Sequence, residues 1–353
     1  MTELDRRRAL IGAAGVTLGG IATARILPEE LLLRDRRRVR SRVAIISAAQ
    51  YSEGLVDSLM QAIRLFKFDL PNRSVLLKPN LVEHIPGRGV NTNPVLVGAA
   101  AEALLRLGAK RIVVGEGPGH QRDTYLVLVE SGLDGQLRSQ GICFVDLNRD
   151  ELVKVPTRAN FTGLDHFWLP RTVLTSDFVV SMPKVKTHHW AGVTLSLKNM
   201  FGVVPGTKYG WPKNILHWQG IHRSILDICA TVPIHFVIAD GIVAMEGNGP
   251  LHGTHRLLGK IVLSDDPVAA DFTCARLMGL QPERVGHLDH ASRFLGNGSA
   301  DRIVLLAEGL PERVLPFNVL PQFAYLLIPP DSLERTGRLL KSESLSVYRR
   351  AWR

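Results

Sequence analysis

The sequence predicts an α/β fold, with a mainly parallel sheet flanked by helices, either as one large domain or as two intimate α/β halves. Short apolar runs alternate with segments of helical periodicity along most of the chain. The 353 residues exceed what one simple domain needs, and 45% of them are hydrophobic, which suffices for a sizeable core. Together these observations favour strands and helices that alternate in sequence order.

Eight apolar runs have the length and composition of buried strands, at 43–47, 75–77, 111–114, 142–146, 178–181, 235–239, 261–264 and 303–306. Four segments show helical periodicity, at 52–66, 94–107, 123–133 and 267–278. Pro94 at the start of the second helix and Gly108 after it are typical boundary residues. Residues 183–222 show no clean period, and 241–250 is a glycine-rich segment expected to be a loop.

The first 42 residues form a separate unit in this prediction. Consecutive arginines at positions 6–8 precede a mildly apolar stretch that ends at residue 24 in Ala-Thr-Ala, a pattern that resembles a twin-arginine export signal. Residues 1–42 are therefore expected to be a signal and basic linker, 43–330 the α/β domain, and 331–353 a basic tail. An amphipathic N-terminal helix or an uncleaved anchor is the alternative. The signal predicts recognition by the twin-arginine export machinery, and a location in the periplasm or on the outer side of the cytoplasmic membrane.

The charge and cysteine content argue against two classes of protein. The net charge is +10, but residues 1–42 hold ten arginines against five acids, so half of it lies outside the predicted domain. Without aromatic residues interleaved among the basic ones, nucleic-acid binding is not expected. The three cysteines, Cys143, Cys229 and Cys274, are far apart in sequence, so an iron–sulfur cluster held by this chain is not expected.

Polar and ionisable residues follow the predicted strands. Ligands in open α/β sheets bind beyond the carboxyl ends of strands, so these residues predict a site at one edge of the sheet. They are Lys78 and Asn80 after the second strand, Glu116 and His120 after the third, Lys184, Lys186 and His188 after the fifth, and Asp240 and Glu246 after the sixth. The turn at 115–119 (Gly-Glu-Gly-Pro-Gly) is suited to holding an anion with backbone N–H groups.

Lysine is concentrated in one part of the chain. Only 11 of the 43 basic residues are lysines, and five of those fall between positions 184 and 213. A lysine offers a compact ammonium for a carboxylate or phosphate and an amine that can act as a nucleophile. The alternative is a solvated basic loop, above all for Lys208 and Lys213. Histidines at 188, 189, 217 and 222 share this region and suit proton transfer or metal binding, although no zinc-protease spacing is present.

Four motifs in this order resemble the family of domain of unknown function 362. They lie at 78–80 (Lys-Pro-Asn), 182–188 (Met-Pro-Lys-Val-Lys-Thr-His), 197–202 (Leu-Lys-Asn-Met-Phe-Gly), and in 240–250, which begins Asp-Gly and ends Glu-Gly-Asn-Gly-Pro. The resemblance covers most of the chain, from about residue 43 to 279. Many members of that family carry a ferredoxin-like iron–sulfur module, and this chain lacks the cysteines for one.

A second, more distant resemblance is to the nickel-dependent lactate racemase family. Residues 188–198, from His-His-Trp-Ala-Gly to Lys198, and the Val-Pro-Gly at 204–206 are similar to the centre of that family. The resemblance implies that His188 and His120 exchange protons and that Lys198 anchors a nickel-pincer nucleotide. A metal-ligand histidine has no clean counterpart, and His217 and His222 are the candidates. The stretch at 193–197 departs from the glycine-rich sequence of the racemases.

The sequence thus predicts an exported enzyme that acts on a small anionic substrate by proton or hydride transfer, of racemase, epimerase or redox type. The expected catalytic residues are His188, His120 and Lys198. The expected substrate-binding residues are Lys78, Asn80, Glu116, Lys184, Lys186, Asn199, Asp240 and Glu246. The alternative is a non-catalytic binding protein for an anionic metabolite or a metal ion.

Overall fold

A computed structural model describes residues 40–119, 123–311 and 314–329. Twelve strands occur in these residues, ten of them in one sheet. Their bounds are β1 Ser41–Ser47, β2 Ser74–Pro79, β3 Arg111–Glu116, β4 Cys143–Asp146, β5 Leu152–Pro156, β6 His166–Pro170, β7 Phe178–Met182, β8 Lys184–His188, β9 Gly192–Thr194, β10 Phe236–Glu246, β11 Thr254–Ser264 and β12 Ile303–Leu305. The predicted export signal, His120 and the tail from residue 331 lie outside the described residues.

The large sheet is mixed and mainly parallel. Its strand order is β12-β1-β11-β10-β7-β2-β3-β4, and β8 joins it beside β10 with β9 on its outer side. Six strand pairs are parallel, and the three antiparallel pairs are β1 with β11, β10 with β11, and β8 with β9. β5 and β6 form a separate antiparallel pair. The predicted fold class is confirmed.

Helices cover both faces of the sheet. Their bounds are α1 Leu55–Arg64, α2 Pro94–Arg106, α3 Thr124–Glu130, α4 Leu133–Ser139, α5 Arg171–Thr175, α6 Ser196–Asn199, α7 Gly206–Tyr209, α8 Asn214–Trp218, α9 Ile221–Thr231, α10 Pro267–Leu277 and α11 Gly286–Ala291. Side chains alternate between the two faces of a strand, so Val75 and Leu77 pack under α1 to α4, while Leu76 packs with α6, α9, α10 and α11. None of the helices in the described residues has the length and apolar character needed to cross a bilayer.

Two helices begin as their sequences predict. The Asn93 side chain accepts a hydrogen bond from the N–H of Val95 at the start of α2, and Pro94 occupies the first helical position. Asp266 accepts from the N–H groups of Val268 and Ala269 at the start of α10. A side chain that satisfies the free N–H groups of a first turn stabilises a helix by about 1 kcal/mol, so these boundaries are encoded locally.

The central segments differ from the sequence prediction. Residues 184–188 are strand β8 rather than a loop, and β10 continues to Glu246 through the segment expected to be a glycine-rich turn. β8 starts directly after Pro183 and runs parallel to β10, with Asp240 opposite Lys184 and Met245 opposite Lys186. β8 and the second half of β10 were missed because their polar and glycine residues hide the apolar pattern from which strands are predicted. The pair β5 and β6 was also missed.

Candidate functional site

A pocket of about 200 Å³ lies where β2 and β3 end, against β8, α6 and α8. This is the edge of the sheet at which polar residues were expected, and its size suits a small molecule. Eight of the predicted site residues line it: Lys78, Asn80, Glu116, Lys186, His188, Lys198, Asn199 and His217. The glycine-rich turn contributes Gly117 and Gly119 to the same wall.

Lys78 and Glu116 form a buried ion pair at the floor of the pocket. Lys78 Nζ also donates to Asn199 Oδ1 at 3.1 Å and to the carbonyl oxygen of Pro79 at 3.0 Å. Burial lowers the pKa of Lys78 and the charge of Glu116 opposes this effect. A Cβ at position 202 would overlap the Glu116 carboxylate, so Gly202 is the residue that lets the chain pass over the pair.

Two further lysines enter the pocket with carbonyl oxygens as their only hydrogen-bond acceptors among the described residues. Lys186 Nζ donates to the carbonyl oxygens of Val90 at 2.8 Å and Pro250 at 3.4 Å. Lys213 Nζ donates to those of Gly117 at 2.9 Å and Phe201 at 2.7 Å. Desolvation is the largest cause of a pKa well below the ordinary value for Lys186 and of a pKa of about 7 for Lys213.

Lys198 is the fourth lysine of the pocket and is held differently. The short helix α6 that carries it is fixed by Asp271, whose buried carboxylate accepts the N–H groups of Ser196 at 2.7 Å and Leu197 at 2.9 Å. Lys198 Nζ lies 4.3 Å from the centre of the Phe201 ring and has no hydrogen-bond acceptor among the described residues. Desolvation first, and then the charge of Lys78, lower its pKa to about 8.

The pocket is therefore strongly cationic. Four lysines line it, and Glu116 is the only carboxylate among the described lining residues. Charges in a poorly solvated site interact far more strongly than in water. Repulsion from neighbouring ammonium groups lowers the pKa of Lys186, Lys198 and Lys213 further.

Three histidines of the described residues line the pocket, and their hydrogen bonds fix which ring nitrogen carries the proton. His188 Nδ1 accepts the N–H groups of Trp190 at 3.0 Å and Ala191 at 3.1 Å, so the neutral ring carries its proton on Nε2 and can donate it to a ligand. In His189 and His217, Nδ1 lies 2.9 Å and 3.1 Å from a carbonyl oxygen, to which only a protonated Nδ1 can donate. Their Nε2 atoms are therefore the unprotonated ones. Burial lowers the pKa of His188 well below its ordinary value and that of His217 by less.

Two oxygen atoms in the wall lack partners. Asn80 Oδ1 and Thr194 Oγ1 are buried and have no hydrogen-bond partner among the described residues. An unpaired buried polar atom costs about 1–3 kcal/mol, so such atoms in a pocket wall point to a ligand or a water that completes them.

Four predicted residues lie away from the pocket. Lys184 is paired with Asp240 at 3.0 Å, and the Tyr51 hydroxyl donates to the same carboxylate at 2.7 Å. Glu246 pairs with Arg256 at 3.2 Å and accepts from the Asn318 side chain at 2.7 Å. His222 faces His287 with their Nδ1 atoms 3.0 Å apart, between α9 and α11. The predicted His120 lies outside the described residues, although Gly119 before it lines the pocket.

Sequence reasoning gave too little weight to three residues of the pocket: Lys213, His189 and Trp190. A solvated loop was the alternative given above all for Lys208 and Lys213, yet only 2% of Lys213 is exposed. Membership of the lysine cluster was the signal that could have identified it. His189 was noted among the clustered histidines but was not given a role; β8 ends at His188 and the chain turns there, so both rings reach the pocket.

The pocket residues fit only part of a nickel-pincer site. Lys198 has the unpaired amine that would anchor such a group, and His217 has the free Nε2 that would ligate its metal. No three His, Cys, Asp or Glu side chains in the described residues converge to hold a metal ion, so the group would have to bring further ligands itself. When bound, it would supply an acceptor for hydride. His222, the other predicted ligand, is outside the pocket.

Comparisons with known proteins give relatives for most of the chain. It is 27% identical over 306 residues to a thylakoid-associated protein from Synechocystis sp., which covers 82% of this chain and 89% of the relative. It resembles the lactate racemase apoprotein from Thermoanaerobacterium thermosaccharolyticum with a TM-score of 0.44 and 13% identity, over 71% of this chain and 58% of that one. A protein from Thermotoga maritima gives a TM-score of 0.34 and 14% identity, over 61% and 56%. The chain spans less than two thirds of either solved structure.

The family model described as domain of unknown function (DUF362) matches residues 75–276. This match covers more than half of the chain and includes every lysine that lines the pocket. The resemblance seen in the sequence motifs is confirmed, and the chain belongs to the DUF362 family.

Proposed function

We propose that the pocket binds a small anionic ligand, a carboxylate or a phosphate, and that the protein is an enzyme acting on this ligand by proton or hydride transfer. The observation that carries the proposal is the charge of the pocket, in which four lysines face a single carboxylate. A bound anion would offset the mutual repulsion of the ammonium groups and would raise their pKa values again. Anion binding and lysine protonation are therefore coupled.

The two wall oxygens without partners among the described residues narrow the chemical class of the ligand further. Asn80 Oδ1 can only accept a hydrogen bond, so it favours a ligand that also carries a donor such as a hydroxyl group. The small volume of the pocket favours a ligand of a few carbon atoms over a polymer. A hydroxy acid or a hydroxylated phosphate ester has both features.

Proton transfer is supported by the histidines. His189 and His217 expose an unprotonated Nε2, which is the form a general base needs, and carbonyl oxygens hold both rings in that form. His188 is oriented to donate through Nε2, so in this arrangement it would polarise a substrate oxygen. The proposal thus gives the basic role to His189 or His217 and an electrophilic role to His188.

Calorimetric titration with lactate, pyruvate and inorganic phosphate would test the binding. We expect at least one of them to bind, with affinity reduced about tenfold or more in Lys198→Met, because one charge-assisted hydrogen bond contributes about 1.5–3 kcal/mol. Lys208→Met is the matched control, since Lys208 is exposed and lies over Trp168. Absence of binding by all three anions, or equal loss in both variants, would contradict the proposal.

Exchange of the Cα hydrogen of lactate in D2O, followed by NMR, would separate an enzyme from a binding protein. We expect exchange in the native protein and its loss in His189→Gln or His217→Gln, with anion binding retained. Binding without exchange or turnover would instead support the alternative, a non-catalytic binding protein for anionic metabolites.

We also propose that the protein is exported. The arginine-rich, mildly apolar N-terminus supports this, and so does the association of the Synechocystis relative with thylakoids. A reporter protein fused to residues 1–42 should leave the cytoplasm only when the arginines at 6–8 are intact. Export after their replacement by lysine would count against the twin-arginine route.

A further inference from the structure

The four lysines of the pocket differ in what holds their nitrogen atoms. Lys78 is held by a carboxylate, an amide oxygen and a carbonyl oxygen. Lys186 and Lys213 are each held by two carbonyl oxygens. An amine held by fixed acceptors is well placed to present charge, but it cannot turn towards a ligand's carbonyl carbon without breaking hydrogen bonds.

Lys198 has no acceptor of these kinds in the part of the chain that the structure describes. Its nitrogen lies over the face of the Phe201 ring, 4.3 Å from the ring centre, and its side chain is only partly buried. An aromatic face stabilises a cation but does not accept the proton of an ammonium group in a directed hydrogen bond. The Lys198 amine can therefore reorient towards a ligand without breaking a hydrogen bond within the described residues.

The neighbouring charge favours the reactive form of this amine. Desolvation, followed by the charge of Lys78, lowers the pKa of Lys198 to about 8. At pH 7 roughly a tenth of such an amine is neutral, about three hundredfold more than for a lysine of ordinary pKa. A second ammonium next to a desolvated lysine is one of the ways in which enzymes activate lysine nucleophiles.

We propose that Lys198 is a nucleophile that forms an imine with the carbonyl carbon of a small anionic carbonyl compound, a 2-oxo acid being the simplest case. This inference rests on the proposed function, because Lys186 and Lys213 supply the charge that holds the ligand's carboxylate. It assigns to Lys198 a covalent role towards the substrate itself.

The step balances without an oxidant or reductant. The lone pair of neutral Lys198 Nζ attacks the carbonyl carbon while the carbon–oxygen π bond breaks, and a proton moves from nitrogen to oxygen to give a carbinolamine. Loss of water then forms the carbon–nitrogen double bond. Asn80 Oδ1 and Thr194 Oγ1, which lack partners among the described residues, can accept a hydrogen bond from the carbinolamine hydroxyl. Uptake of one proton from water gives the protonated imine, whose positive charge the Phe201 ring can stabilise.

Borohydride trapping would test the inference on the full-length chain. The protein would be incubated with pyruvate and sodium borohydride, which reduces an imine to a stable secondary amine, and the adduct would be located by peptide mass spectrometry. We expect one adduct per chain at Lys198, retained in Lys208→Arg and absent in Lys198→Arg. Acetone, which has the carbonyl but no anionic group, should be trapped at least about tenfold more slowly.

The Lys198→Arg variant separates this inference from the proposed function, because arginine keeps the charge but cannot form an imine under these conditions. Pyruvate that binds by calorimetry but gives no adduct at Lys198 would overturn the imine and leave the anion site intact. An adduct at Lys213 or at exposed lysines alone would also overturn it. Failure of pyruvate, lactate and phosphate all to bind would remove the proposed function and the imine with it.

Discussion

Lys184 and Lys186 lie two residues apart on strand β8, and both side chains are buried, but only one is neutralised. Lys184 Nζ is 3.0 Å from Asp240 and 2.9 Å from the Tyr51 hydroxyl, in a closed network away from the pocket. Lys186 donates to two carbonyl oxygens and, within the described part of the chain, to no carboxylate. Lys184 thus belongs to a structural ion pair, whereas Lys186 on the same strand faces the pocket without a counter-charge among the described residues.

The difference shows what marks a functional charge in this fold. An ion pair that satisfies all of its members leaves nothing for a ligand, whereas an amine held by carbonyl oxygens has no counter-charge that a bound anion would have to displace. Burying such a charge costs free energy, and the fold retains three lysines of this kind in the pocket, because Glu116 neutralises only Lys78. We interpret the unneutralised charge as the part of the structure that a ligand completes.

The largest expected effect is on stability, from Asp240→Asn. This change leaves the Lys184 ammonium buried without a counter-charge, and we expect the free energy of unfolding to fall by about 3–5 kcal/mol. Urea denaturation followed by circular dichroism would measure it. The double variant Asp240→Asn/Lys184→Met should recover most of the loss. A fall below about 1 kcal/mol in the single variant would show that the pair is not a structural unit.

Lys186→Met should change the stability little and the anion affinity strongly. The unfolding free energy should change by about 1 kcal/mol or less, because removing a buried unneutralised charge offsets the two lost hydrogen bonds. The affinity for pyruvate or phosphate should fall about ten- to a hundredfold. Calorimetric titration alongside urea denaturation would test both parts. Unchanged affinity, or a stability loss as large as that of Asp240→Asn, would show that Lys186 has a structural role like that of Lys184.

The smallest expected effect is the pH dependence of anion affinity. The pKa of Lys213 is about 7 and that of Lys198 about 8, both below the ordinary lysine value. Since the protonated forms bind anions, affinity should be greatest below about pH 7 and fall severalfold as pH rises past about 8. The stability of the free protein should change with pH in the opposite direction. Because these two pKa values are lowered on folding, the folded state binds fewer protons than the unfolded state. The unfolding free energy should therefore increase as pH rises above about 7.

Titrations at a series of pH values would measure this dependence. Lys198→Arg carries a permanent charge, so its affinity should lose the part of the decline that occurs near pH 8 and keep the part near pH 7. An affinity that does not change between about pH 6 and about pH 9 would mean that the bound anion does not contact either lysine.

Several strands could be predicted because their apolar residues carry the signal themselves. Residues 75–77, 111–114 and 178–181 fall in β2, β3 and β7, which lie side by side in the sheet. β8 could not be predicted this way, because Lys184, Lys186 and His188 occupy every second position of a strand that is buried throughout. Its polar side chains are buried because distant residues accept their hydrogen bonds, among them Asp240 for Lys184 and Val90 for Lys186. A local sequence pattern contains no information on such partners.

The position of the site could also be predicted, but not which of the candidate residues belong to it. Lys78, Glu116, Lys186 and Lys198 were expected from their place at strand ends and in the lysine cluster, and the structure brings them to one pocket. Asp240 was expected there too, although its carboxylate is already used by Lys184. Whether a side chain is free depends on partners far away in sequence, and no spacing rule contains that information.

The sequence by itself determined the fold class, the family and the edge of the sheet at which polar residues collect. These features follow from local composition, periodicity and strand ends, each encoded within a few residues. Tertiary structure alone decided which lysines are neutralised, because the partners Lys78–Glu116 and Lys184–Asp240 are 38 and 56 residues apart. Only the packed chain could therefore show that Lys198 is left with an aromatic ring and no hydrogen-bond acceptor within the described residues.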